Sequence, residues 1–283
     1  MLKQPSGFYF LNKNNIFTLL NLNLNLTNMK DLYLKTLLIV IFVYFTTGIS
    51  FSQTSFNDYK RASFKTVDIF GRKEDTLRKE FAGKGLQWPA KYVYIRSFKY
   101  DAQLEVWVKN DFKEQYRLFK TYKVCMQSGT MGPKRFQGDY QVPEGFYYIN
   151  EFNPNSNYHL SLGLNYPNAS DRILSDSLRP GGEIYIHGSC VSVGCIPLTD
   201  DQIEELYIIA SYAKANGQDF IPVHVFPVKY SVKKSLEYLN TTTKKNQQLQ
   251  QFALQLREAF DKFEEKKQIP VVLVNKKGQY LFD

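Results

Sequence analysis

Apolar and polar residues alternate from Lys91 to Tyr100 ("KYVYIRSFKY") and again from Gln103 to Asn110 ("QLEVWVKN"). A period of two is that of a strand with one face in a core and the other half-solvated. Asp101 and Ala102 leave only a tight connection between the two runs, which predicts a hairpin. The same alternation marks residues 114–126, 145–152, 182–188 and 221–228. Many short strands with few helices predict a mainly β domain with flanking helices (α+β), sandwich-like or barrel-like.

The period changes to three and four in two places. In "LTDDQIEELYIIASYAKANGQ", Ile203, Leu206, Ile209, Ala210 and Ala213 fall on one helical face. Thr199 reads as the N-cap, Gln202 as its capping-box partner and Gly217 as the C′ glycine. The stripe predicts packing against the sheet. A second helix is predicted over residues 245–266, with Leu249, Phe252, Leu256, Phe260 and Phe263 on its face. "NTTTKKN" (Asn240–Asn246) before it reads as a polar linker, and residues 269–282 read as a closing hairpin turning at Lys276–Gly278. Residues 56–83 mix charge with spaced apolar positions and predict one or two short helices broken around Gly71.

The N-terminal pattern is different. Lys30 and Lys35 precede an apolar run, Leu37–Phe45, and Ser50 and Ser52 stand at the −3 and −1 positions of a cut before Gln53. This is the three-part plan of a secretory signal, with Met29 a candidate start. The apolar run is shorter than the ~20 residues of an ordinary membrane span, and an uncleaved N-terminal anchor is the alternative. The expected location is therefore the periplasm or cell envelope, with membrane contact only through this segment. About 230 residues follow the cut. Of the chain's net charge of +9, Lys3, Lys13, Lys30 and Lys35 against Asp31 supply +3, leaving a moderately basic +6 beyond the cut. That charge is spread out; no Lys/Arg cluster interleaved with aromatics suggests a nucleic-acid face.

The chemistry concentrates in "EIYIHGSCVSVGCIPLTDD". One of only three histidines and two of only three cysteines, His187, Cys190 and Cys195, fall within nine residues. Three readings are open. A structural zinc needs four ligands, and this span offers three with no CxxC pair, so a metal is disfavoured. A Cys190–Cys195 disulfide is conceivable in an exported chain and would remove the nucleophile; Cys190 also reads as a packed small thiol or as a redox partner of Cys195. The third reading is a thiol nucleophile. A free thiol is mostly protonated at neutral pH, so it needs a neighbouring imidazole to take its proton and a third group to fix the tautomer. A strand ending in His187 and a glycine-containing turn presenting Cys195 supply these parts, with Ser192, Gly194 and free backbone N–H groups around a substrate carbonyl. His187 and Cys195 are expected within hydrogen-bonding reach. His159 and His224 lack clustered partners and read as structural or exposed.

"IHG…SxGC" resembles the signature of the L,D-transpeptidase (YkuD-type) catalytic domain. "GTMGPKRFQGDYQVPEGFYYI" (Gly129–Ile149) and "LSLGLNYPNASDR" (Leu160–Arg172) resemble the upstream stretches of that family, and the likeness covers about residues 89–228. Typical members have a longer insertion between the motifs and read Ser-His-Gly-Cys with an arginine two residues on. Here only seven residues separate His187 from Cys195, Val193 replaces the second histidine, and Pro197 stands where the arginine is expected. The compact loop resembles the murein-endopeptidase-like, YafK-type branch.

The resemblance implies Cys195 as nucleophile, His187 as general base, the Gly188 carbonyl as orienter of the imidazole, and Ser192, Gly194 and backbone N–H groups around the oxyanion. It implies acyl transfer at a diaminopimelate carbonyl of peptidoglycan stem peptides through a Cys thioester, hydrolytic in this branch, with no cofactor and no metal. The alternatives are transpeptidation that forms cross-links or attaches a wall-linked protein, and a non-catalytic wall-binding module. Tyr166, Arg172 and Arg179 are weaker candidates for substrate binding, against packing or surface roles. The resulting plan is an N-terminal extension and signal over 1–52, a helical segment over 53–88, the catalytic domain over 89–230, and a helix-and-hairpin extension over 231–283.

Overall fold

The computed structural model describes Thr36, Leu37 and residues 55–283. The expected signal segment thus lies outside the described residues apart from those two. Residues 53–283 cluster as one unit.

Two N-terminal helices, α1 (Phe56–Lys60) and α2 (Phe64–Gly83), precede the sheet. Helix α2 runs through Gly71 without a break, contrary to the expected interruption. Ile69, Phe70, Leu77 and Phe81 hold one continuous stripe of it in the core, which outweighs the ~1 kcal/mol helix penalty of a single glycine. The strands are β1 (Tyr92–Phe98), β2 (Gln103–Lys109), β3 (Arg117–Lys123), β4 (Gly145–Asn153), β5 (Ser161–Leu164), β6 (Tyr185–His187), β7 (Ile196–Pro197) and β8 (Ile221–Phe226). They form one mixed sheet in the order β3-β2-β1-β8-β4-β5-β6-β7. The β1–β8 and β6–β7 pairs are parallel and the others antiparallel. The fold is a mostly β curled sheet with flanking helices.

A short helix, α3 (Ala169–Leu174), lies between β5 and β6, and α4 (Asp200–Ala215) follows β7 almost directly. The Thr199 hydroxyl caps α4 by accepting the Gln202 N–H, and Gln202 returns the bond to the Thr199 N–H. Such a cap is worth ~1 kcal/mol. The α4 stripe packs with α2 against Val93 and Ile95 of β1 and Val223 and Val225 of β8.

The opposite face is covered too. Helices α5 (Lys233–Thr243) and α6 (Gln247–Lys266) and the hairpin β9 (Val272–Val274)–β10 (Tyr280–Phe282) bury Phe98, Phe146 and Phe226 against Leu239, Leu256, Phe260 and Tyr280. The alternation in β1 and β2 predicts one solvated face; the structure buries both. Arg96, the polar position that signals solvent, is 1% exposed. Its guanidinium pairs with Glu105 at 2.6 Å and with Glu264 of α6 at 2.7 Å, and lies 4.6 Å over the Phe263 ring. Burial alone would raise the Glu105 carboxyl, but Arg96, with Lys229 and Trp107, holds it below the ordinary carboxylate range. A charged residue in an alternating strand was therefore a buried ion pair waiting for a distant helix.

The residues read as a polar linker also fold differently. Asn240–Thr243 form the last turn of α5. The hydroxyls of Thr241, Thr242 and Thr243 donate to the carbonyls of Glu237, Tyr238 and Leu239 at 2.8–2.9 Å, taking up their hydrogen-bonding capacity inside the helix.

Candidate active site

The far edge of the sheet positions the chemistry. In the parallel β6–β7 pair, Ile186 aligns with Ile196 and His187 with Pro197. Side chains alternate along a strand and aligned parallel residues share a face. Ile186 and Ile196 point into the core, both fully buried. Tyr185, His187 and Cys195, one step out of phase, share the other face and line one cleft of about 480 Å³.

His187 is 2% exposed. Its Nδ1 lies 2.6 Å from the Gly188 carbonyl oxygen, so Nδ1–H donates there and Nε2 keeps its lone pair. Burial lowers the imidazole pKa, only partly countered by that bond, so the ring is neutral at neutral pH. The Tyr158 ring leans over it with centroids 4.7 Å apart. Gly188 is held by its N–H, shared between the carbonyls of Tyr158 and Leu160.

Cys195 is a free cysteine. Its thiol donates to the Glu183 carbonyl at 3.6 Å, not to the imidazole. The two side chains share a cleft, but the expected direct hydrogen bond is not present in this arrangement. Burial, assisted by the Glu183 carboxylate, raises the thiol pKa; the Tyr185 N–H and Lys134 pull the other way. The thiol is thus protonated at rest and needs a base.

The nucleophile turn is self-closing. Ser192 Oγ donates to the Cys195 carbonyl at 2.7 Å and accepts the Cys195 N–H at 2.9 Å. The Gly194 N–H donates to Ser128 Oγ at 2.7 Å. The donors expected to be free for an oxyanion therefore rest on two serine hydroxyls. Gly194 adopts φ +103°, and a Cβ there would stand 3.2 Å from the Gln141 carbonyl. Both the dihedral and the space require glycine.

Cys190 pairs with Cys125, at a Cα–Cα distance of 5.2 Å. Neither the Cys190–Cys195 bridge nor the free-thiol readings of Cys190 describe the structure. Connectivity is not deducible from spacing, and Cys125 is 65 residues away. The disulfide ties the loop between base and nucleophile to the segment after β3. Ser189 and Cys190 sit at φ +67° and +41°, and the Ser189 N–H is anchored on Asp200 Oδ1 at 2.8 Å.

The weaker candidates separate. Tyr166 is buried, and its hydroxyl donates to the Pro180 carbonyl at 2.9 Å. It and Arg172 border a different hollow, of about 300 Å³, and are not brought to the catalytic cleft. Arg179 borders a hollow of about 660 Å³ that shares Glu183 and Val193 with that cleft. His159 Nε2 meets Glu204 at 2.8 Å, and His224 Nδ1 meets the Tyr94 hydroxyl at 2.7 Å. Sequence reasoning passed over Ser128, Tyr158, Tyr185 and Glu183. Only Tyr185 carried a signal, standing two residues before His187 on one strand face. Among the described residues no group of three or more His, Cys, Asp or Glu is arranged to hold a metal ion, and no helix is long and apolar enough to cross a membrane.

Residues 100–225 match the family model of the L,D-transpeptidase catalytic domain (YkuD). The Escherichia coli (strain K12) protein named "Putative L,D-transpeptidase YafK" is 35% identical over 184 residues, covering 64% of this chain and 70% of its own. Among solved structures, the helical cell shape determining protein Pgp2 of Campylobacter jejuni is 20% identical, covering 70% of this chain and 80% of its own, with a TM-score of 0.39. Bd1075 of Bdellovibrio bacteriovorus is 25% identical, covering 63% and 61%, with a TM-score of 0.36. The family model spans β2 to β8 and so includes both His187 and Cys195, and with the YafK match it establishes that the chain belongs to the L,D-transpeptidase family of peptidoglycan-related enzymes.

Proposed function

We propose that this chain is an exported cysteine enzyme that cleaves peptidoglycan stem peptides by acyl transfer at a diaminopimelate carbonyl. The observation that carries the reading is the shared face of β6 and β7, which puts a free thiol and a tautomer-fixed imidazole in one cleft. The Cys125–Cys190 bridge supports export, because such cross-links persist in oxidising compartments.

The chemistry follows from the two protonation states. Rotation of Cys195 about Cα–Cβ takes its proton from the Glu183 carbonyl toward His187 Nε2, a contact that commonly tightens only with substrate bound. Nε2 accepts the proton as Sγ forms a bond to the carbonyl carbon. The oxyanion competes for the N–H groups of Gly194 and Cys195 against the hydroxyls of Ser128 and Ser192. A charged oxygen is the stronger acceptor, so those donors serve the transition state more than the resting one. The C–N bond then breaks, the imidazolium gives its proton to the departing amine, and a thioester remains. Water, deprotonated by His187, attacks the thioester, and Sγ leaves to regain its proton.

Transpeptidation is the second reading, and the hollow adjoining the cleft favours it by offering space for an acceptor amine. Incubating the purified protein with muropeptides, with and without an amine acceptor, separates the two. Hydrolysed stems in both cases are expected; cross-linked or exchanged products alone overturn the hydrolytic reading. A Cys195→Ala protein that still processes muropeptides defeats the whole assignment.

A further inference from the structure

The Gly188 carbonyl that fixes the His187 tautomer belongs to the peptide group between Gly188 and Ser189, and the N–H of that same peptide is held as well. The carbonyl accepts from His187 Nδ1 at 2.6 Å, and the Ser189 N–H donates to Asp200 Oδ1 at 2.8 Å. The two groups lie on opposite sides of one planar amide. Rotating that plane moves both bonds together, so a carboxylate that fixes one end fixes the other. The carboxylate also lies against the turn itself: a Cβ on Gly188 would stand 2.6 Å from Asp200 Oδ1. Ser189 holds φ +67°, a region that a non-glycine residue keeps only where its neighbours hold it.

Helix α4 brings Asp200 to this place, as its first residue after the Thr199 cap. The segment leading into the helix is stitched to the base too, because the Leu198 N–H donates to the His187 carbonyl at 2.7 Å. His187 is thus bracketed, its main chain by Leu198 and its ring by the Gly188–Ser189 peptide. Asp201, the next acid of the same helical turn, pairs instead with Lys73 of α2 at 2.6 Å. Both aspartates stand where a helix N-terminus favours negative charge. They differ in that Asp200 bonds to the peptide beside the base.

We propose that Asp200 is a positioning residue for the base, coupled to the His187 imidazole through the Gly188–Ser189 peptide group. This deepens the acyl-transfer reading and rests on it. The bonds form one chain, from Nδ1–H to the carbonyl and from the N–H of the same amide to the carboxylate, and each link polarises the next. Drawing on the amide N–H puts more negative charge on the carbonyl oxygen. That oxygen becomes a stronger acceptor when His187 takes the Cys195 proton and turns into imidazolium. Asp200 therefore does, at one peptide's remove, what a carboxylate bonded directly to a catalytic imidazole does. It also keeps the proton on Nδ1, which leaves Nε2 free to act as the base.

The test compares Asp200→Asn, Asp200→Ala and Asp201→Asn. Asparagine keeps an acceptor for the Ser189 N–H and loses the charge; alanine loses both. Asp201→Asn removes an acid from the same helical turn and leaves the Ser189 bond intact. The first readout is the His187 Nδ1 proton by NMR, assigned by its absence from His187→Gln. It should move upfield in Asp200→Asn, further in Asp200→Ala, and stay in place in Asp201→Asn. The second is thioester formation with a stem peptide, followed by intact mass. It should be roughly 5-fold slower in Asp200→Asn and on the order of 10- to 100-fold slower in Asp200→Ala, with the half-saturating peptide concentration within about twofold of the parent's. The third is the acid limb of that rate, which should move to lower pH in Asp200→Asn as the imidazolium loses support. Tyr158, Tyr185, Glu183 and Cys195 around the cleft, and the His159–Glu204 pair beside Gly188, are the same in all three variants. An unchanged Nδ1 proton or an unchanged rate in Asp200→Asn, or an Asp201→Asn protein as slow as Asp200→Asn, overturns the proposal. If the unmutated protein forms no thioester, the acyl-transfer reading falls, and the Nδ1 proton still decides whether Asp200 acts on His187.

Discussion

Replacing Cys125 and Cys190 together by alanine removes the one covalent restraint on the loop that separates base from nucleophile. The bridge closes a span of 65 residues. In the chain-entropy model, a loop of that length loses roughly 15 cal/mol/K in the unfolded state, or about 4 kcal/mol at 25 °C. Both half-cystines are at least partly exposed, so alanine adds little burial penalty and the entropic figure dominates. For a described region of this size, 1 kcal/mol shifts Tm by about 2–4 °C, which predicts a fall of roughly 8–16 °C by scanning calorimetry. Activity at a temperature where the variant is still folded should fall as well, because Ser189 and Cys190 hold positive φ only while the loop is tied at both ends. The supporting measurement is thiol alkylation with mass detection: one modifiable cysteine, Cys195, before reduction and three after reduction and unfolding. A double variant melting within ~2 °C of the parent, or three reactive thiols in unreduced protein, would refute the reasoning.

The remaining predictions concern the base, its neighbour and the sheet. Burial lowers the His187 pKa, so the active neutral imidazole persists as pH falls past its ordinary value, and the acid limb of kcat/KM should have its midpoint below pH 6.5; a midpoint above 7 contradicts this. On the alkaline side burial raises the Cys195 pKa, so the thiolate should form with a midpoint above the ordinary cysteine value, read by ultraviolet absorbance as the difference between the parent protein and Cys195→Ala. In Gly188→Ala the new Cβ would sit 2.6 Å from Asp200 Oδ1 and 3.0 Å from the Tyr158 carbonyl. The carboxylate can swing away but the backbone cannot, so a loss of about 1–3 kcal/mol in urea unfolding is expected, with reduced activity. Arg96→Ala removes the cation shared by Glu105 and Glu264, leaving Glu105 to Lys229 and Trp107 and Glu264 to Lys267, and should cost ~3 kcal/mol by the same method, whereas an exposed i,i+4 pair such as Arg257–Asp261 should cost under ~1 kcal/mol.

The strands and α4 were legible because their signals are local. Thr199 and Gln202 announce a capped start, and the apolar stripe behind them has one period and one destination. What was not legible depended on distant parts of the chain. Arg96 reads as a solvated position until Glu264, 168 residues later, arrives to pair with it. The threonines of α5 read as linker because their hydroxyls compete with helix in isolation and bond back to it when the helix is packed. Gly71 reads as a break because its cost is local and its compensation is tertiary.

The site divides in the same way. His187 and Cys195 stand out by rarity and spacing, and their common face follows from the strand period once β6 and β7 are paired. Ser128 and Glu183 act through a Gly194 N–H and a backbone carbonyl, contacts that have no residue-type signature. Cys125 had a type but no partner until the fold brought Cys190 to it. Tyr166 and Arg172 looked eligible because loops near a motif are eligible; their side chains serve a turn and a separate hollow.

The most direct test is intact mass spectrometry of the purified protein quenched during incubation with muropeptides. A thioester adduct of one stem-peptide acyl group, mapped to Cys195 and released by hydroxylamine, is the expected species, formed ~10²–10⁴-fold more slowly in His187→Gln. Stem peptides cleaved at full rate with no adduct, or by Cys195→Ala, would show that the sulfur at the entrance to β7 is not the atom that attacks.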